Sequence, residues 1–383
     1  MKITVVVGAF LPVPPIMGGA VEKIWFVLAQ EFARRGHEVV QISRSMPKLP
    51  DEEVFAGVRH LRVKGYDAPG SLIWLKALDF AYSLRAIPVL PKADIVVTNT
   101  FWLPILLRTE KSGQVYVHVT RYPKWQMRFY RRAARLQAPS RAVAQAIALK
   151  APQLEPKVRV IPNPTPQVIA QTEPPFLTER EKIILFVGRV HPEKGVHLLV
   201  EAFVSKARTV FADWKLMIVG PAEEKFGGGG KSYLDSLETS AKAAGDRIIF
   251  AGHVFDAIAL EQHFRAARLF VYPSLADRGE SFGLAPLEAM THRCAVLVSM
   301  LDCFNDFIRD GETGFVFNHH SDYPAEKLRE RIENVIVDET VLARVADKGY
   351  RKSADYSISQ VADQFLSDFN SLVYQSDARA RNR

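Results

Sequence analysis

The sequence predicts an α/β protein of two domains, and three observations carry that expectation. Short apolar runs such as Ile3–Val7, Val39–Ile42, Ile183–Val187 and Leu216–Val219 alternate with helical periodicity, the pattern of parallel strands buried on both faces. The rhythm stops at PNPTPQVIAQTEPPFLTEREK, a proline-rich connection, and restarts at Ile183. At 383 residues the chain is also too long for one ordinary core. A first domain is expected over residues 1–165, a linker over 166–180, a second domain over 181–357 and a flexible tail over 375–383.

Hydrophobic content of 48% and charged content of 24% describe a soluble globular protein. The two cysteines, Cys294 and Cys303, supply no disulfide framework and no four-cysteine metal site, so a reducing, cytoplasmic setting is the default. No run reaches the length of a membrane-spanning helix, and MKITVVVGAFLPVPP reads as a first strand rather than a signal peptide. Fifty basic residues against 42 acidic give +8, which favours anionic partners.

In the first half, strand Ile3–Val7 leads into the loop GAFLPVPPIMGGA, which holds Gly18 and Gly19. Val21, Ile24, Trp25, Leu28, Ala29 and Phe32 then mark a helix that ends at Arg34, Arg35 and Gly36. The unit lacks the spaced glycines of a dinucleotide fingerprint. Ile95–Thr98 and Val115–Val119 are further strands, with His118 near the C-terminal end of the second. Lys124–Arg135, KWQMRFYRRAAR, is the most basic segment. A helix there would place Arg128, Arg131, Arg132 and Arg135 on one face beside Trp125, Phe129 and Tyr130. That face suits an anionic membrane surface or an acidic acceptor, and a solvated basic helix fits it equally. No nucleic-acid reader motif accompanies it. Leu136–Ala138 and Val158–Ile161 are the last strands of this half. Near the end of the chain, Val361, Phe365, Phe369 and Leu372 form the apolar face of a helix over Ile358–Val373.

In the second half, strand Ile183–Val187 is followed by GRVHPEKG, which sets Arg189 and Lys194 just past a strand end. Such cations can clamp a diphosphate and offset charge on a leaving group. After Leu216–Val219 comes PAEEKFGGGGKSY, expected as a mobile loop that resembles a phosphate-binding P-loop only superficially. The densest signal is LFVYPSLADRGESFGLAPLEAMTHRCAVLVS. Strand Leu269–Tyr272 stops at Pro273 and Ser274, so Glu280 lies beyond its C-terminal edge, where open α/β sheets bind ligands. A helix from about Gly283 to Thr291 carries Glu288. The amides of Ser281, Phe282, Gly283 and Leu284 at its head suit an anion. Two carboxylates around a cluster of amides suit a phosphorylated polyhydroxyl ligand. No Asp-x-Asp motif occurs, so no metal site is expected, and basic side chains with a helix N-terminus would serve instead.

PSLADRGESFGLAPLEAM resembles the glutamate–seven residues–glutamate signature of retaining family 4 glycosyltransferases, and GRVHPEKG matches that family's phosphate-binding segment. The resemblance implies the GT-B fold, two Rossmann-like domains facing across a cleft, with a C-terminal helix returning to the N-terminal domain. It implies retaining, metal-independent transfer of a hexose from a nucleoside-diphosphate sugar, with no separate cofactor. UDP-glucose or a related UDP-hexose is the expected donor. The acceptor would be a glycan or lipid-linked hydroxyl in surface polysaccharide or glycoconjugate synthesis. Arg189 and Lys194 would hold the donor phosphates, Glu280 the sugar, Glu288 the ribose, and Gly18 and Gly19 the donor phosphate or acceptor. The histidine at position 118 would serve the transferred sugar, although Val119 stands where the family often has aspartate. Cys303, Phe304, Asn305 and Asp306 replace a glycine-rich stretch of the family, whereas Arg309–Phe317 matches it. A UDP-sugar epimerase of related fold and a non-catalytic nucleotide-sugar-binding module are the alternatives. The expected location is cytoplasmic, peripheral on the inner membrane face if the basic segment binds lipid.

Overall fold

Alternating strands and helices build two parallel sheets, one in each of the two units into which the chain divides. Unit one comprises Met1–Pro166 with Tyr356–Arg383, and unit two comprises Gln167–Asp355. The computed structural model describes residues 1–108, 112–165, 172–254 and 256–381. The expected linker therefore begins outside the described residues, and Leu177–Glu179 forms one 3-10 turn just before the second sheet.

In the first unit the chain runs β1 (Lys2–Val6), α1 (Ala20–Arg34), β2 (Glu38–Arg44), β3 (Glu52–Phe55), β4 (Val58–Val63), α2 (Leu72–Val89), β5 (Ile95–Thr98), α3 (Leu103–Leu106), β6 (Gln114–His118), β7 (Arg135–Ala138), α4 (Arg141–Lys150) and β8 (Val158–Val160). The sheet order is β3-β4-β2-β1-β5-β6-β7-β8. All described pairings are parallel except β3 with β4. The central strands are covered by helices, which is why they read as unbroken apolar runs. Helix α1 buries Ile24, Trp25, Leu28 and Phe32, as its periodicity predicts.

The basic segment departs from expectation. Trp125–Arg132 is a 3-10 turn broken at Tyr130, not a helix with four arginines on one face. Arg135 opens β7 and turns inward, where its guanidinium meets Asp368 at 2.8 Å. A half-buried carboxylate 233 residues away holds it there, a partner that no local pattern reveals.

In the second unit the order is β9 (Glu181–Val187), α5 (Val196–Ser205), β10 (Lys215–Val219), α6 (Gly230–Ala241), β11 (Ile248–Gly252), α7 (Ala257–Ala266), β12 (Ala267–Tyr272), α8 (Leu284–Thr291), β13 (Ala295–Ser299), β14 (Phe315–Phe317), α9 (Pro324–Val337) and α10 (Glu339–Ser353). The sheet is β11-β10-β9-β12-β13-β14, and every described pairing is parallel. The four-glycine loop is tied down rather than loose. The amides of Gly228, Gly229 and Gly230 donate to the carbonyls of Glu223, Val190 and Ala222 at 2.8–3.0 Å.

The last helix, α11 (Ile358–Arg381), packs on the first unit. Phe365 meets Trp25 at 5.3 Å and Phe369 meets Phe32 at 5.9 Å. Tyr116 donates to Asp368 at 2.9 Å, alongside Arg135. The helix continues to Arg381, through most of the stretch expected as a tail. Gln, Ala and Arg are good helix formers, and neither Gly nor Pro interrupts them.

Candidate functional site

In the second unit, two loops at the C-terminal edge of the sheet are stitched together. The β9–α5 loop ends in Gly195, whose left-handed φ of 67° favours glycine. A Cβ there would also collide with the Pro273 carbonyl. That close approach lets Leu275 donate its amide to the Glu193 carbonyl at 2.8 Å. The β12–α8 loop is thereby laid across Lys194.

The consequence is a buried ion pair. Lys194 Nζ donates to Glu280 Oε2 at 2.5 Å, with side-chain exposures of only 9% and 13%. Tyr272, the last residue of β12, donates its hydroxyl to the same oxygen at 3.1 Å. Burial, then the Glu280 charge, push its phenol well above the ordinary range, so it stays a donor. Its ring stacks on Phe186 at 5.8 Å and lies 5.3 Å from Lys194 Nζ.

Arg189, just past β9, donates to the Gly227 carbonyl at 2.6 Å, which anchors it to the glycine-rich loop. Beside it, the ends of β10 and β11 frame a cavity of about 430 Å³ lined by Val190, Ile218, Glu223, Lys231, Phe250 and His253. Neither Lys194 nor Glu280 lines that cavity.

The head of α8 lies on the same loop as Glu280. Gly283 caps it with φ 86°, and a Cβ there would strike the Phe304 ring. Phe304 also presents its edge to Tyr272 at 6.2 Å. The segment that departs from the family thus packs behind the site. Burial first, then Glu280, push the Cys303 thiol well up, so it is no ready nucleophile. Ser281, Phe282, Gly283 and Leu284 lead into α8, and Glu288 sits partly exposed one turn along.

The remaining sequence-predicted residues belong to the first unit. Gly18 and Gly19, at φ 80° and 96°, end the loop before α1. The Glu22 carboxylate lies against Gly19, where a Cβ would collide with it. Burial pushes Glu22 up to about 7, opposed by its own amide and by Arg121. His118 is buried at the end of β6, edge-on to Trp25 at 5.4 Å. Its Nδ1 bonds Gln137 Oε1, whose amide donates to the Ile161 carbonyl. Burial pushes the imidazole down to about 4, so it is neutral near pH 7.

Asp277, His319 and His320 each bring one potential ligand atom within 4.8 Å of the others. Asp277 and His320 are exposed, and the 3.1 Å His319–Asp277 contact is the length of an ordinary hydrogen bond.

Sequence reasoning joined Arg189, Lys194, Glu280 and Glu288 to one site but passed over Tyr272, Phe250, His253 and Glu22. Tyr272 was findable, as a polar-tipped residue ending a strand at the ligand edge. Of the cavity residues, Phe250 lies within β11 and His253 just after it, and neither carries a local signal.

Two family models match the chain. The glycosyl transferases group 1 model covers residues 169–352, and the glycosyltransferase family 4 model covers 17–166. Over 189 residues the chain is 31% identical to the lipopolysaccharide core biosynthesis mannosyltransferase LpcC of Rhizobium leguminosarum bv. viciae, covering 49% of this chain and 50% of that protein. Over 194 residues it is 30% identical to the phosphatidyl-myo-inositol mannosyltransferase of Mycobacterium tuberculosis, covering 50% and 48%. The chain thus spans about half the length of the curated relatives it matches. Among solved structures, sucrose-phosphate synthase from Thermosynechococcus elongatus superposes with a TM-score of 0.77 at 18% identity, over 98% of this chain and 100% of that one. Anabaena HepE in complex with UDP and glucose gives 0.71 at 17% identity, over 97% and 100%. These likenesses establish the fold.

Proposed function

The chain carries a glycosyltransferase group 1 domain and a glycosyltransferase family 4 domain on a GT-B fold, and from that premise we propose that it is a retaining, metal-independent hexosyltransferase. Its donor is a nucleoside-diphosphate sugar, UDP-glucose or a related UDP-hexose. Its acceptor is a hydroxyl of a glycan or lipid-linked molecule in surface polysaccharide or glycoconjugate synthesis. The observation that carries the reading is the Lys194–Glu280 pair beside Arg189, where two strand ends meet the head of α8.

The donor diphosphate sits between Arg189, Lys194 and the backbone at Ser281, Phe282, Gly283 and Leu284. Lys194 leaves Glu280 for the phosphate, and Glu280 then accepts hydrogen bonds from sugar hydroxyls while Tyr272 keeps it oriented. Glu288 accepts from the ribose, and the apolar wall at Val190, Ile218 and Phe250 takes the base. As the bond from C1 to the phosphate oxygen breaks, negative charge grows on the leaving diphosphate, where the two cations are placed to meet it. The departing oxygen takes the proton of the acceptor hydroxyl, whose oxygen bonds C1 on the face just vacated, so configuration is retained. A double displacement would need a second carboxylate roughly 5 Å from the first, across the sugar. In the first unit, Gly18 and Gly19 are assigned to the donor phosphate or the acceptor. Gln137 engages Nδ1 of His118, so any role of this side chain toward the transferred sugar falls to Nε2.

The relatives' names support this scope. Two are mannosyltransferases, of lipopolysaccharide core and of phosphatidyl-myo-inositol, which favours a lipid-linked acceptor and a peripheral place at the cytoplasmic membrane face. The HepE complex with UDP and glucose favours a UDP-hexose.

Labelled UDP-hexose, incubated with a lipid and oligosaccharide extract in excess EDTA, should label an acceptor with the donor's anomeric configuration. Inverted product contradicts retention. Loss of rate on chelation, restored by Mg²⁺ or Mn²⁺, contradicts metal independence. An epimerised sugar nucleotide formed without acceptor marks an epimerase.

A further inference from the structure

Helix α2 in the first unit carries apolar side chains on its outward face as well as its inward one. It buries Asp79, Tyr82, Ser83 and Ala86, and it exposes Leu72 at 67%, Ile73 at 80% and Trp74 at 64%. The inward face is pinned, since Asp79 Oδ2 accepts the amides of Phe101 and Trp102 at 3.0 and 3.2 Å, and Tyr82 and Ala86 join the core. Ile73, Lys76, Phe80 and Leu84 recur three or four residues apart and so share one outward stripe. Apolar residues facing water along a whole helix ask for a non-aqueous partner.

The stripe continues onto the basic 3-10 turn. Lys76 Nζ lies 4.5 Å from the Trp125 ring, and Trp125 meets Phe129 edge-on at 5.5 Å. Phe80 packs on Trp102 at 5.2 Å, and Trp102 donates its indole N–H to the Lys76 carbonyl. Trp125 and Phe129 are 56% and 50% exposed. Lys124, Arg128, Arg131 and Arg132 are exposed around them. Neither α2 nor residues 120–135 carry an exposed carboxylate, because the single acid, Asp79, is buried.

We propose that this face docks on an anionic bilayer surface. Leu72, Ile73 and Trp74 enter the boundary between headgroups and acyl chains, while Lys124, Arg128, Arg131 and Arg132 meet lipid phosphates. An apolar ridge with tryptophans, cations and no exposed acid is the chemistry an acidic membrane interface recognises. A second copy of this chain fits badly, because a two-fold contact would set the same cations against one another. The proposal deepens the peripheral placement proposed above, but its test reads binding alone and so can fail or succeed apart from glycosyl transfer.

Vesicle flotation of the full chain tests it. Wild-type protein should float with phosphatidylcholine vesicles containing phosphatidylglycerol at low salt, and less so at high salt. Joint Arg128→Glu, Arg131→Glu and Arg132→Glu should weaken low-salt binding at least about tenfold. Ile73→Ser with Trp74→Ser should weaken binding at both salt levels. Unchanged thermal unfolding of these surface variants checks that they fold. Wild-type protein that ignores acidic vesicles at low salt would overturn the proposal, as would a serine variant that binds like wild type. A vesicle-independent dimer that the serine variant dissociates would assign the face to a second copy instead.

Discussion

Lys194 Nζ lies 2.5 Å from Glu280 Oε2 although the two residues are 86 positions apart in the chain. The pair is largely withdrawn from water, so each charge depends on the other for compensation. A donor phosphate entering beside Arg189 would offer Lys194 a second anion and release Glu280 toward sugar hydroxyls. On the proposed reading, one contact holds Lys194 and Glu280 together until the donor separates them.

Lys194→Ala should therefore lower kcat more than it weakens donor binding, by on the order of 10²-fold or more, because the charge it meets grows toward the transition state. Steady-state kinetics with a matched binding isotherm separates the two effects. A variant that keeps over half of wild-type turnover would take Lys194 out of the active site.

Glu288 and Glu280 should divide their work. Glu288→Ala should weaken binding of the nucleoside diphosphate itself, whereas Glu280→Ala should chiefly weaken binding of the intact donor. Calorimetry with both ligands checks this. Equal losses for both ligands in both variants contradict the assignment.

Asp368 fastens the last helix to the first unit through Arg135 and Tyr116. Asp368→Ala leaves a buried guanidinium unpaired and should destabilise the first unit by about 3 kcal/mol. Thermal unfolding followed in that unit should show a lowered midpoint. An unchanged midpoint would mean that the pair is dispensable.

Glu22 should make stability depend on pH. Burial raises its carboxyl from the ordinary 4.5 to about 7 in the folded chain. Between those values the folded protein holds a proton that the unfolded chain has released. Stability therefore falls as pH rises through this window and levels off above it, by about 3 kcal/mol in all. Glu22→Gln should remove that fall, and denaturant unfolding at pH 5 and pH 8 compares the two proteins. Parallel losses in both would place the dependence elsewhere.

Much of this was legible because it is local. GRVHPEKG lies in the loop after β9, and the two spaced glutamates lie in the loop after β12 and the first turns of α8, so short strings fixed their place at the sheet edge. The two-sheet architecture was legible for a similar reason, since strands covered on both faces read as apolar runs. Arg135 was misread because its partner Asp368 comes from the far end of the chain. Helix α2 was unread because periodicity reports which residues share a face, not which face points inward. Ile73, Phe80 and Leu84 look like a core stripe, yet they face out. The short β3–β4 pairing, with its largely exposed β3, gave no apolar run to find.

The most direct test of glycosyl transfer measures nucleoside diphosphate release from UDP-, GDP- and ADP-hexoses, each with and without a lipid or oligosaccharide acceptor. The account predicts release from a UDP-hexose that rises with acceptor and is largely lost in Lys194→Ala. Tight nucleotide binding with no release from any donor, whatever acceptor is supplied, would contradict it.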